Sequence, residues 1–581
     1  MRTSAVIGLA KALVCLAAFQ TYSQAQVSWT YPGCPEVTDE DFEYTTLVQR
    51  NVAPDPKIAE PDKLAFDMDA EGNVDVYFTE LRPGNIKRYS AKTKTVKTLV
   101  KLPNWGGGPS NYLTVPNPIN SKGGPGQVEE GVTGIALDPN FKTNGWIYIH
   151  WSPLPATKAV FRISRFTVTG DTILLDNDKE KVILEFEAQR DECCHTGGSM
   201  EFDAYGDLWI AQGANGGRGS NQITTDPQVG INEVNKYQSE EWGATSTAGM
   251  RGGFLRIHPD NSLKGYSIPK DNFGEYFFKQ TGKPEYMDTS KVLPEIYIKG
   301  TRNNYSMALD PVRRWVMWGD VGPDVTDPMK REEFNLRKTP GFEGWPYFTG
   351  LNTKISGNKD ANTPTNTSKW NKGLTTLPPA RPAFFIDTIG RAPISGPLYL
   401  YDGDSKSTVK FPPHFHRKWF VTDFQSSRIE VLTLDSAGEK VTKSQPIFKN
   451  FSFSGPVDFR SGPDGALYVV NYGSNNFSVT PSTGIVKISY KGTCRPAEPK
   501  LEIPVVTGLT REDMAPRKNG MLVNLGAGRL VTVPVGMSGF ELYNIDGKSI
   551  WRKSLLKAGE SFRLPDQLQP EAMKYRWISA Q

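Results

Sequence analysis

The sequence predicts an all-β protein: a six-bladed β-propeller with long loops between its blades and a small C-terminal β-sandwich-like domain. Two observations support this prediction. Glycine (55), proline (43), tyrosine (22) and tryptophan (13) are abundant, which favours many short strands joined by turns. In addition, one pattern recurs along the chain: an apolar run, a turn rich in Asp, Gly, Asn or Pro, and a second, aromatic-rich apolar run. Each copy predicts a β-hairpin.

Six hairpins predict six blades. They lie at 64–78, 132–150, 199–211, 306–318, 396–421 and 457–470. Several are followed by a further strand, at 161–168, 254–258, 429–434 and 484–489. Radial repetition of such sheets leaves only short, protected edges. A decorated β-sandwich is the structural alternative, and the long insertions at 102–128, 215–250 and 341–393 are expected to be functional loops.

The N-terminus predicts export. Arg2 precedes an apolar stretch over 5–19 that only Lys11 interrupts, and small residues at 23–25 provide a cleavage site. We therefore expect residues 1–25 to be a signal peptide and the mature protein to be secreted or held at a bacterial cell surface. The whole chain carries a net charge of +4, and removing Arg2 and Lys11 leaves about +2. Without a basic cluster, nucleic acid is not an expected partner.

Four cysteines follow the signal segment: Cys34, Cys193, Cys194 and Cys494. In an oxidising compartment they are expected to pair. We favour Cys34–Cys494, which brackets one long region, and a vicinal Cys193–Cys194 bond. Two free buried thiols are the alternative for the vicinal pair.

The composition changes after Cys494. A Pro-containing linker over 495–500 precedes short predicted strands at 529–534, 540–543, 549–553 and 575–578. We therefore divide the chain into a signal peptide (1–25), a propeller (26–494) and a linker with a small β-domain (495–581).

Three segments are not required by the strand-and-turn pattern. His195, one of five histidines, stands before Gly197-Gly198 and can serve as a general base. Segment 300–304 contains Arg302 and precedes a blade strand, and segment 319–324 follows that blade's second strand. Motifs for zinc peptidases, serine hydrolases and nicotinamide-binding folds do not occur.

In order, these segments resemble the soluble glucose/sorbosone dehydrogenase family, six-bladed propellers that use pyrroloquinoline quinone (PQQ). The resemblance covers about 62–490 and is carried by CCHTGGS, RGGFLRIHPD, LPEIYIKGTRNN, GDVGPD, EEFN, GWPYF and GPDGALYVV. The tail motif GFELYNIDGKSIWR resembles the sorting or anchoring modules of type IX-like export, with a carbohydrate-binding or spacer module as the alternative.

The resemblance implies roles for individual residues. His195 matches the general base that takes the proton from the sugar C1 hydroxyl. Arg302 matches the arginine beside the quinone carbonyl, and Asn303 matches a cofactor contact. Gly322 and Pro323 match residues whose main-chain carbonyls bind calcium. The alternatives are a structural histidine, a salt-bridged arginine between blades and a plain strand-ending turn.

The chain departs from the family at the cofactor carboxylates. Gln425, Gly455 and Val457 stand where a lysine and two arginines are expected, and Glu129 stands where the family has a glutamine that contacts the cofactor. Arg428 and Arg460 are nearby in sequence and could compensate.

These features predict a PQQ-dependent sugar dehydrogenase that oxidises an aldose or oligosaccharide at C1 to a lactone, with Ca²⁺ and an external electron acceptor. Two alternatives stay open: a quinone-free propeller that binds carbohydrate without catalysis, and a calcium-dependent lactonase.

Overall fold

The computed structural model describes residues 28–105, 129–154, 159–175, 179–190, 194–216, 236–323, 331–355, 359–387, 390–474 and 477–500, together with the backbone of six strands between 519 and 579. The predicted signal peptide lies outside the described residues. Among the residues described, no helix has the length and apolarity needed to cross a bilayer.

Strand β1 (Phe42–Gln49) belongs to the last blade of a ring of six blades, and the other strands follow blade by blade. Blade 1 consists of β2 (Pro61–Met68), β3 (Val74–Glu80), β4 (Asn85–Ser90) and β5 (Thr95–Lys101). Blade 2 consists of β6 (Val132–Leu137), β7 (Trp146–Trp151), β8 (Val160–Thr169) and β10 (Lys181–Glu187), with β9 (Thr172–Ile173) paired to β8. Blade 3 consists of β11 (Gly197–Phe202), β12 (Leu208–Gln212), β13 (Gly253–Pro259), β15 (Ile296–Lys299) and β19 (Gly341–Phe342), with β14 (Tyr266–Ser267) paired to β13.

The second half of the ring has the same plan. Blade 4 consists of β16 (Ser306–Asp310), β17 (Trp315–Asp320), β18 (Glu332–Arg337) and β22 (Phe385–Asp387), preceded by a hairpin of β20 (Phe348–Thr349) and β21 (Thr353–Lys354). Blade 5 consists of β23 (Pro393–Tyr399), β24 (Lys418–Asp423), β25 (Ile429–Leu434) and β26 (Val441–Ile447). Blade 6 consists of β27 (Pro456–Ser461), β28 (Leu467–Asn471), β29 (Gly484–Tyr490) and β1.

Helices are short and lie between strands. The α-helices are α1 (Phe141–Asn144), α2 (Glu240–Thr245) and α3 (Phe273–Thr281), and 3₁₀ turns lie at Asp39–Asp41, Lys236–Gln238, Pro284–Met287 and Pro413–Phe415.

The first strand of each blade lies innermost and contacts the first strand of the next blade. This contact runs in sequence through β2, β6, β11, β16, β23 and β27, and it closes between β27 and β2. All six predicted hairpins are the first two strands of a blade, so the propeller prediction is confirmed. The sandwich alternative is wrong because the sheets close into a ring instead of stacking in two layers.

The ring is closed by pairing the start of the chain with its last blade. Strand β1 is antiparallel to β29, with Phe42 opposite Tyr490. A disulfide joins Cys34, ahead of β1, to Cys494, after β29, as predicted. Cys194 is also disulfide-bonded, whereas its predicted partner Cys193 lies outside the described residues.

Apolar cores lie between adjacent blades. Trp209, Trp318 and Trp419, on the second strands of blades 3, 4 and 5, are fully buried. The Trp318 ring lies 4.8 Å from Phe254 of blade 3, measured between ring centroids. Replacing one of these tryptophans by alanine is expected to lower the free energy of unfolding by about 3–5 kcal/mol. The well-packed propeller is therefore a rigid support for the loops at its two mouths.

The C-terminal strands form two sheets. One has the order β30 (Asn519–Leu522), β35 (Met573–Ser579), β32 (Met537–Tyr543) and β33 (Ser549–Ser554), and the other pairs β31 (Leu530–Thr532) with β34 (Ser561–Arg563). The four strands predicted here are present. The domain boundary at 495 stays a prediction.

Candidate active site

The predicted site residues lie at one mouth of the ring, where the inner strands begin. Glu129 precedes β6, His195 precedes β11, and Asn303 precedes β16. Neighbouring inner strands are aligned start to start, since the N–H of Met307 donates to the Ser199 hydroxyl at 3.3 Å. The loop that enters one inner strand is therefore beside the loop that enters the next.

His195 is held in a tightly bonded, unusual backbone conformation. Cys194 and His195 both have left-handed φ angles, 88° and 62°. Such a conformation costs a non-glycine residue about 1–3 kcal/mol and is concentrated at functional sites. The His195 N–H donates to Glu129 Oε2 at 2.7 Å, and its carbonyl accepts the N–H of Asn215 at 2.8 Å. The side chain is buried.

The Gly197-Gly198 pair explains how this loop fits against its neighbours. The φ angles are 66° and 108°, where a side chain is strained. A Cβ on Gly198 would overlap the Thr133 side chain, and one on Gly197 would overlap the main chain of Gly213. The glycines therefore permit close approach of the inner strands directly behind His195.

Glu129 joins His195 to Asn303. Besides the His195 N–H, its carboxylate accepts the Thr196 N–H at 3.3 Å and Asn303 Nδ2 at 3.1 Å. Hydrogen bonds from N–H donors to a carboxylate are among the stronger ones in proteins. The structure thus brings together three residues predicted from the sequence, and it gives Glu129 a part in orienting the other two.

Arg302 and Asn303 are fixed by a buried carboxylate. The Asn303 N–H donates to Asp320 Oδ1 at 2.7 Å, and the Arg302 N–H lies 3.2 Å from both Asp320 oxygens. Burial, reinforced by the nearby Glu333 carboxylate, raises the pKa of Asp320 to about 7. The Arg302 guanidinium donates to the Val321 carbonyl at 3.0 Å. Its position is therefore set from both its main chain and its side chain.

Two further residues connect Arg302 to His195. The Arg302 Cζ lies 5.4 Å from the centre of the Trp345 ring, within range of a cation–π interaction. Trp345 Nε1 donates to Glu240 Oε2 at 2.8 Å, and Glu240 Oε1 lies 3.4 Å from His195 Nδ1. Trp345 belongs to a motif singled out in the sequence, but Glu240 was missed because nothing local distinguishes it from other helix-start carboxylates.

Gly322 and Pro323 follow β17, next to Val321, on the same side of the ring as Arg302. The Gly322 N–H donates to Glu332 Oε2 at 2.9 Å, and a Cβ here would overlap the Arg331 carbonyl. The turn therefore requires glycine. Within the described residues, no group of three or more His, Cys, Asp or Glu is placed to hold a metal ion.

The positions expected to hold cofactor carboxylates carry no cation. Gln425 is exposed, Gly455 has a φ of 57°, and Val457 is buried in an apolar core. A Cβ on Gly455 would lie 3.0 Å from the Phe424 ring. The departures noted in the sequence are therefore built into the packing of blades 5 and 6.

The two arginines suggested as compensation are already ion-paired. Arg428 Nη2 lies 2.5 Å from Asp387 Oδ1, while its Nη1 is buried and makes no hydrogen bond within the described residues. Arg460 Nε lies 3.0 Å from Asp458, and its side chain lines a cavity of about 290 Å³ at the opposite mouth of the ring. Arg460 Nη2 also donates to the Ser199 hydroxyl on β11 at 2.8 Å, and compensation by Arg460 stays a prediction.

Arg82 is a further cation with an unused donor at the mouth that holds His195. Arg82 follows β3; its Nε donates to Glu60 at 2.7 Å and its Nη2 to the Tyr472 hydroxyl at 2.9 Å. Its Nη1 is buried and makes no hydrogen bond within the described residues. The Tyr472 N–H in turn donates to the Gly455 carbonyl at 2.9 Å, so Arg82 lies near the side of the mouth where the expected cations are absent.

A family model described as Glucose / Sorbosone dehydrogenase matches residues 61–240. The match runs from the start of blade 1 to the first residue of α2 and includes Glu129 and His195. The resemblance predicted from the motifs is confirmed over these residues. The resemblance of the tail to a sorting module stays a prediction.

The aldose sugar dehydrogenase YliI of Escherichia coli (strain K12) is 26% identical over 277 residues, which are 48% of this chain and 57% of that protein. The chain thus matches little more than half the length of this relative.

A putative oxidoreductase (glucose dehydrogenase) of Thermus thermophilus has a TM-score of 0.50 at 18% identity, covering 77% of this chain and 99% of that one. This likeness supports the fold. The PQQ-bound aldose sugar dehydrogenase of Streptomyces coelicolor has a TM-score of 0.46 at 14% identity, covering 77% of this chain and 98% of its own.

Proposed function

We propose that this protein is a PQQ-dependent sugar dehydrogenase that oxidises an aldose, or the reducing end of an oligosaccharide, at C1 to a lactone. The observation that carries the proposal is that His195 lies near both Arg302 and Asn303. Glu129 joins His195 to Asn303. Glu240 and Trp345 lie between His195 and Arg302. A base and a fixed cation thus share one mouth of the ring.

The residues present fit the reacting end of a quinone. Arg302 supplies a positive charge that is held in place before any ligand binds, and such preorganised charge stabilises negative charge that develops during reaction. Asn303 Oδ1 is buried and makes no hydrogen bond within the described residues, so it has acceptor capacity for a ligand group. PQQ, when bound, supplies the quinone that accepts the hydride from C1.

His195 is the proposed base. It takes the proton from the C1 hydroxyl while the hydride leaves C1, so the sugar loses two electrons and C1 becomes the carbonyl carbon of the lactone. General bases must lie within hydrogen-bond reach of the proton they remove. The rigid His195 loop, fixed by Glu129 and Asn215, meets this need because it leaves little freedom in the position of the imidazole.

The carboxylate end of the cofactor is held by fewer cations than in the family. A charged hydrogen bond contributes about 1.5–3 kcal/mol, and about 1.4 kcal/mol corresponds to tenfold in affinity. Arg82 and Arg428 each have a buried Nη1 that makes no hydrogen bond within the described residues, and either could replace one such contact. We therefore expect PQQ to bind more weakly than it would with the full set of three cations.

Calcium would be held by the main-chain carbonyls of Gly322 and Pro323, since Ca²⁺ prefers oxygen ligands and tolerates main-chain carbonyls. Its part in the reaction would be to attract electron density from the cofactor as a Lewis acid.

The Cys34–Cys494 disulfide suits an oxidising compartment, which supports export of the mature chain, with a carbohydrate substrate and an external electron acceptor as partners.

The test is a titration of the calcium-supplemented protein with PQQ, followed by dye reduction with a panel of aldoses. We expect saturable PQQ binding and turnover with at least one aldose. His195→Gln and Arg302→Gln should each lower turnover at least a hundredfold, while the controls His258→Gln, near the end of β13, and Arg313→Gln, in the turn between β16 and β17, should not. Full turnover in the His195 variant would refute its role as base.

The absence of cations at Gln425, Gly455 and Val457 favours a second candidate, a quinone-free propeller that binds carbohydrate without oxidising it. Carbohydrate binding without any PQQ binding at tens of micromolar would establish this candidate and overturn the first. The lactonase alternative needs several converging carboxylates. Within the described residues no such group is placed to hold a metal ion, so no observation favours it.

A further inference from the structure

We infer that Glu240 is the positioning residue of the site: it holds the His195 imidazole in the form that carries its proton on Nδ1 and leaves Nε2 as the base. This inference rests on the proposed function for its catalytic consequence, but the protonation of the ring can be measured without any activity. No local pattern in the sequence indicates this role.

Glu240 is fully buried at the start of α2, where Ser239 caps the helix by accepting the Trp242 N–H at 2.9 Å. Its two oxygens have different neighbours. Oε2 accepts the Trp345 indole N–H at 2.8 Å, and Oε1 lies 3.4 Å from His195 Nδ1. Catalytic hydrogen bonds are often this long before a ligand binds and shorten in the complex.

The space around the carboxylate is tight. A Cβ on Gly216 would overlap the Glu240 carboxyl group, so the absence of a side chain at Gly216 provides the room that the carboxyl group occupies. A carboxylate only accepts hydrogen bonds, and an indole N–H only donates. His195 Nδ1 is buried and makes no hydrogen bond within the described residues, so a proton on Nδ1 directed at Oε1 would give it a partner and would leave the lone pair on Nε2.

Several charged groups surround this pair. Glu129 lies on the main-chain side of His195, and Glu240 faces its ring. The Arg251 guanidinium lies close enough to Glu240 for the two charges to attract, and it donates to the carbonyls of Asn215 and Tyr237 at 3.1 and 2.8 Å. Arg302 lies over the far side of Trp345. Among these groups, Glu240 is the carboxylate that faces the imidazole of His195.

The decisive variant is Glu240→Gln. Because Trp345 can only donate, the oxygen of the introduced amide must face the indole, and its NH₂ group must then face His195 Nδ1. Nδ1 becomes an acceptor, the proton moves to Nε2, and the base is blocked. A buried histidine in the wrong tautomer costs about 10⁴-fold in a hydrolase with the same arrangement, so we expect turnover to fall about 10³-fold or more while the fold is kept.

The tautomer is read directly from ¹⁵N chemical shifts of the His195 ring, assigned by comparison with the His195→Gln variant. We expect a protonated Nδ1 and an unprotonated Nε2 in the wild type, and the reverse in Glu240→Gln. The matched control is Glu241→Gln, the next residue of α2, which is equally buried but is bonded to Tyr347 and Thr367. It should leave the His195 tautomer and the turnover unchanged.

A double variant distinguishes loss of the His195 tautomer from general disruption of the site. In Glu240→Gln with Trp345→Phe the indole N–H is gone, the oxygen of the introduced amide can turn to Nδ1, and the original tautomer and part of the turnover should return. An unchanged tautomer in Glu240→Gln, or equal shifts in the Glu241→Gln control, overturns the inference. If the tautomer inverts and no aldose is oxidised by the wild type, the inference stands and the proposed function fails.

Discussion

Acid is expected to destabilise the propeller through His150, whose hydrogen bonds lead through Gln212 to the loop that contains His195. His150 lies on β7 and is fully buried. Its Nε2 lies 2.8 Å from Gln212 Oε1, and its Nδ1 lies 2.6 Å from the Thr133 hydroxyl. Gln212 Nε2 donates to the Thr196 carbonyl at 2.8 Å, which places Oε1 toward the imidazole. His150 Nε2 therefore donates, and Nδ1 accepts from the hydroxyl.

The size of the effect follows from the pKa. Burial lowers the pKa of His150 to about 4, against about 6.5 for an unperturbed histidine. The folded state binds the proton less well than the unfolded state does, so this contribution to stability is complete above about pH 6.5 and is lost as the pH falls to about 4. At about 1.4 kcal/mol per pH unit, the loss amounts to about 3 kcal/mol.

The assay is urea unfolding between about pH 7.5 and 4.5, comparing wild type with His150→Gln. Other groups titrate over the same range, and the difference between the two proteins removes their shared contribution. We expect the variant to be less stable at neutral pH and to lose less stability on acidification, with the two curves converging by about 3 kcal/mol. Parallel curves would contradict this reasoning and would show that His150 does not resist protonation in the folded state.

Three further predictions concern the disulfide that closes the propeller, the charge at the proposed PQQ site and the loop that contains His195. Cys34→Ser should lower the free energy of unfolding by about 3–5 kcal/mol, because the Cys34–Cys494 bond closes a very long loop; no change in a denaturant titration would refute this. Gln425→Lys should tighten PQQ binding about tenfold by fluorescence titration, through one new charged contact, and unchanged affinity would show that the residue does not face the cofactor. Glu129→Gln should lower the melting temperature, because the N–H donors of His195 and Asn303 would then bond to a neutral acceptor instead of a charged one. The neutral acceptor contributes about 1–2 kcal/mol less. An unchanged melting temperature would contradict the role of Glu129 in holding this loop.

The inner half of each blade could be predicted from sequence, and the outer half only in part. The first two strands of a blade are buried on both faces, so they appear as apolar runs separated by a turn. The outermost strands β5 and β26 are largely exposed, so their composition resembles that of loops. Strand β1 was missed as the closing strand because its partner β29 lies at the far end of the propeller sequence.

The residues of the candidate site likewise divide into those that the sequence indicated and those that it did not. His195, Arg302 and Asn303 were found because each lies in a short motif beside a strand. Glu240 and Arg82 were not found, because their importance comes from contacts with Trp345 and Tyr472, which are far away in the sequence. Glu129 was expected only as a cofactor contact, whereas the structure also gives it a part in holding the His195 loop.

The most direct test of the account is a crystal structure of the mature protein grown with PQQ and calcium. The account predicts the cofactor at the mouth where the inner strands begin, with its quinone oxygens beside Arg302 and Asn303, His195 Nε2 facing the open side, and the ion on the carbonyls of Gly322 and Pro323. Cofactor bound elsewhere on the ring, or His195 turned away from a bound quinone, would contradict it.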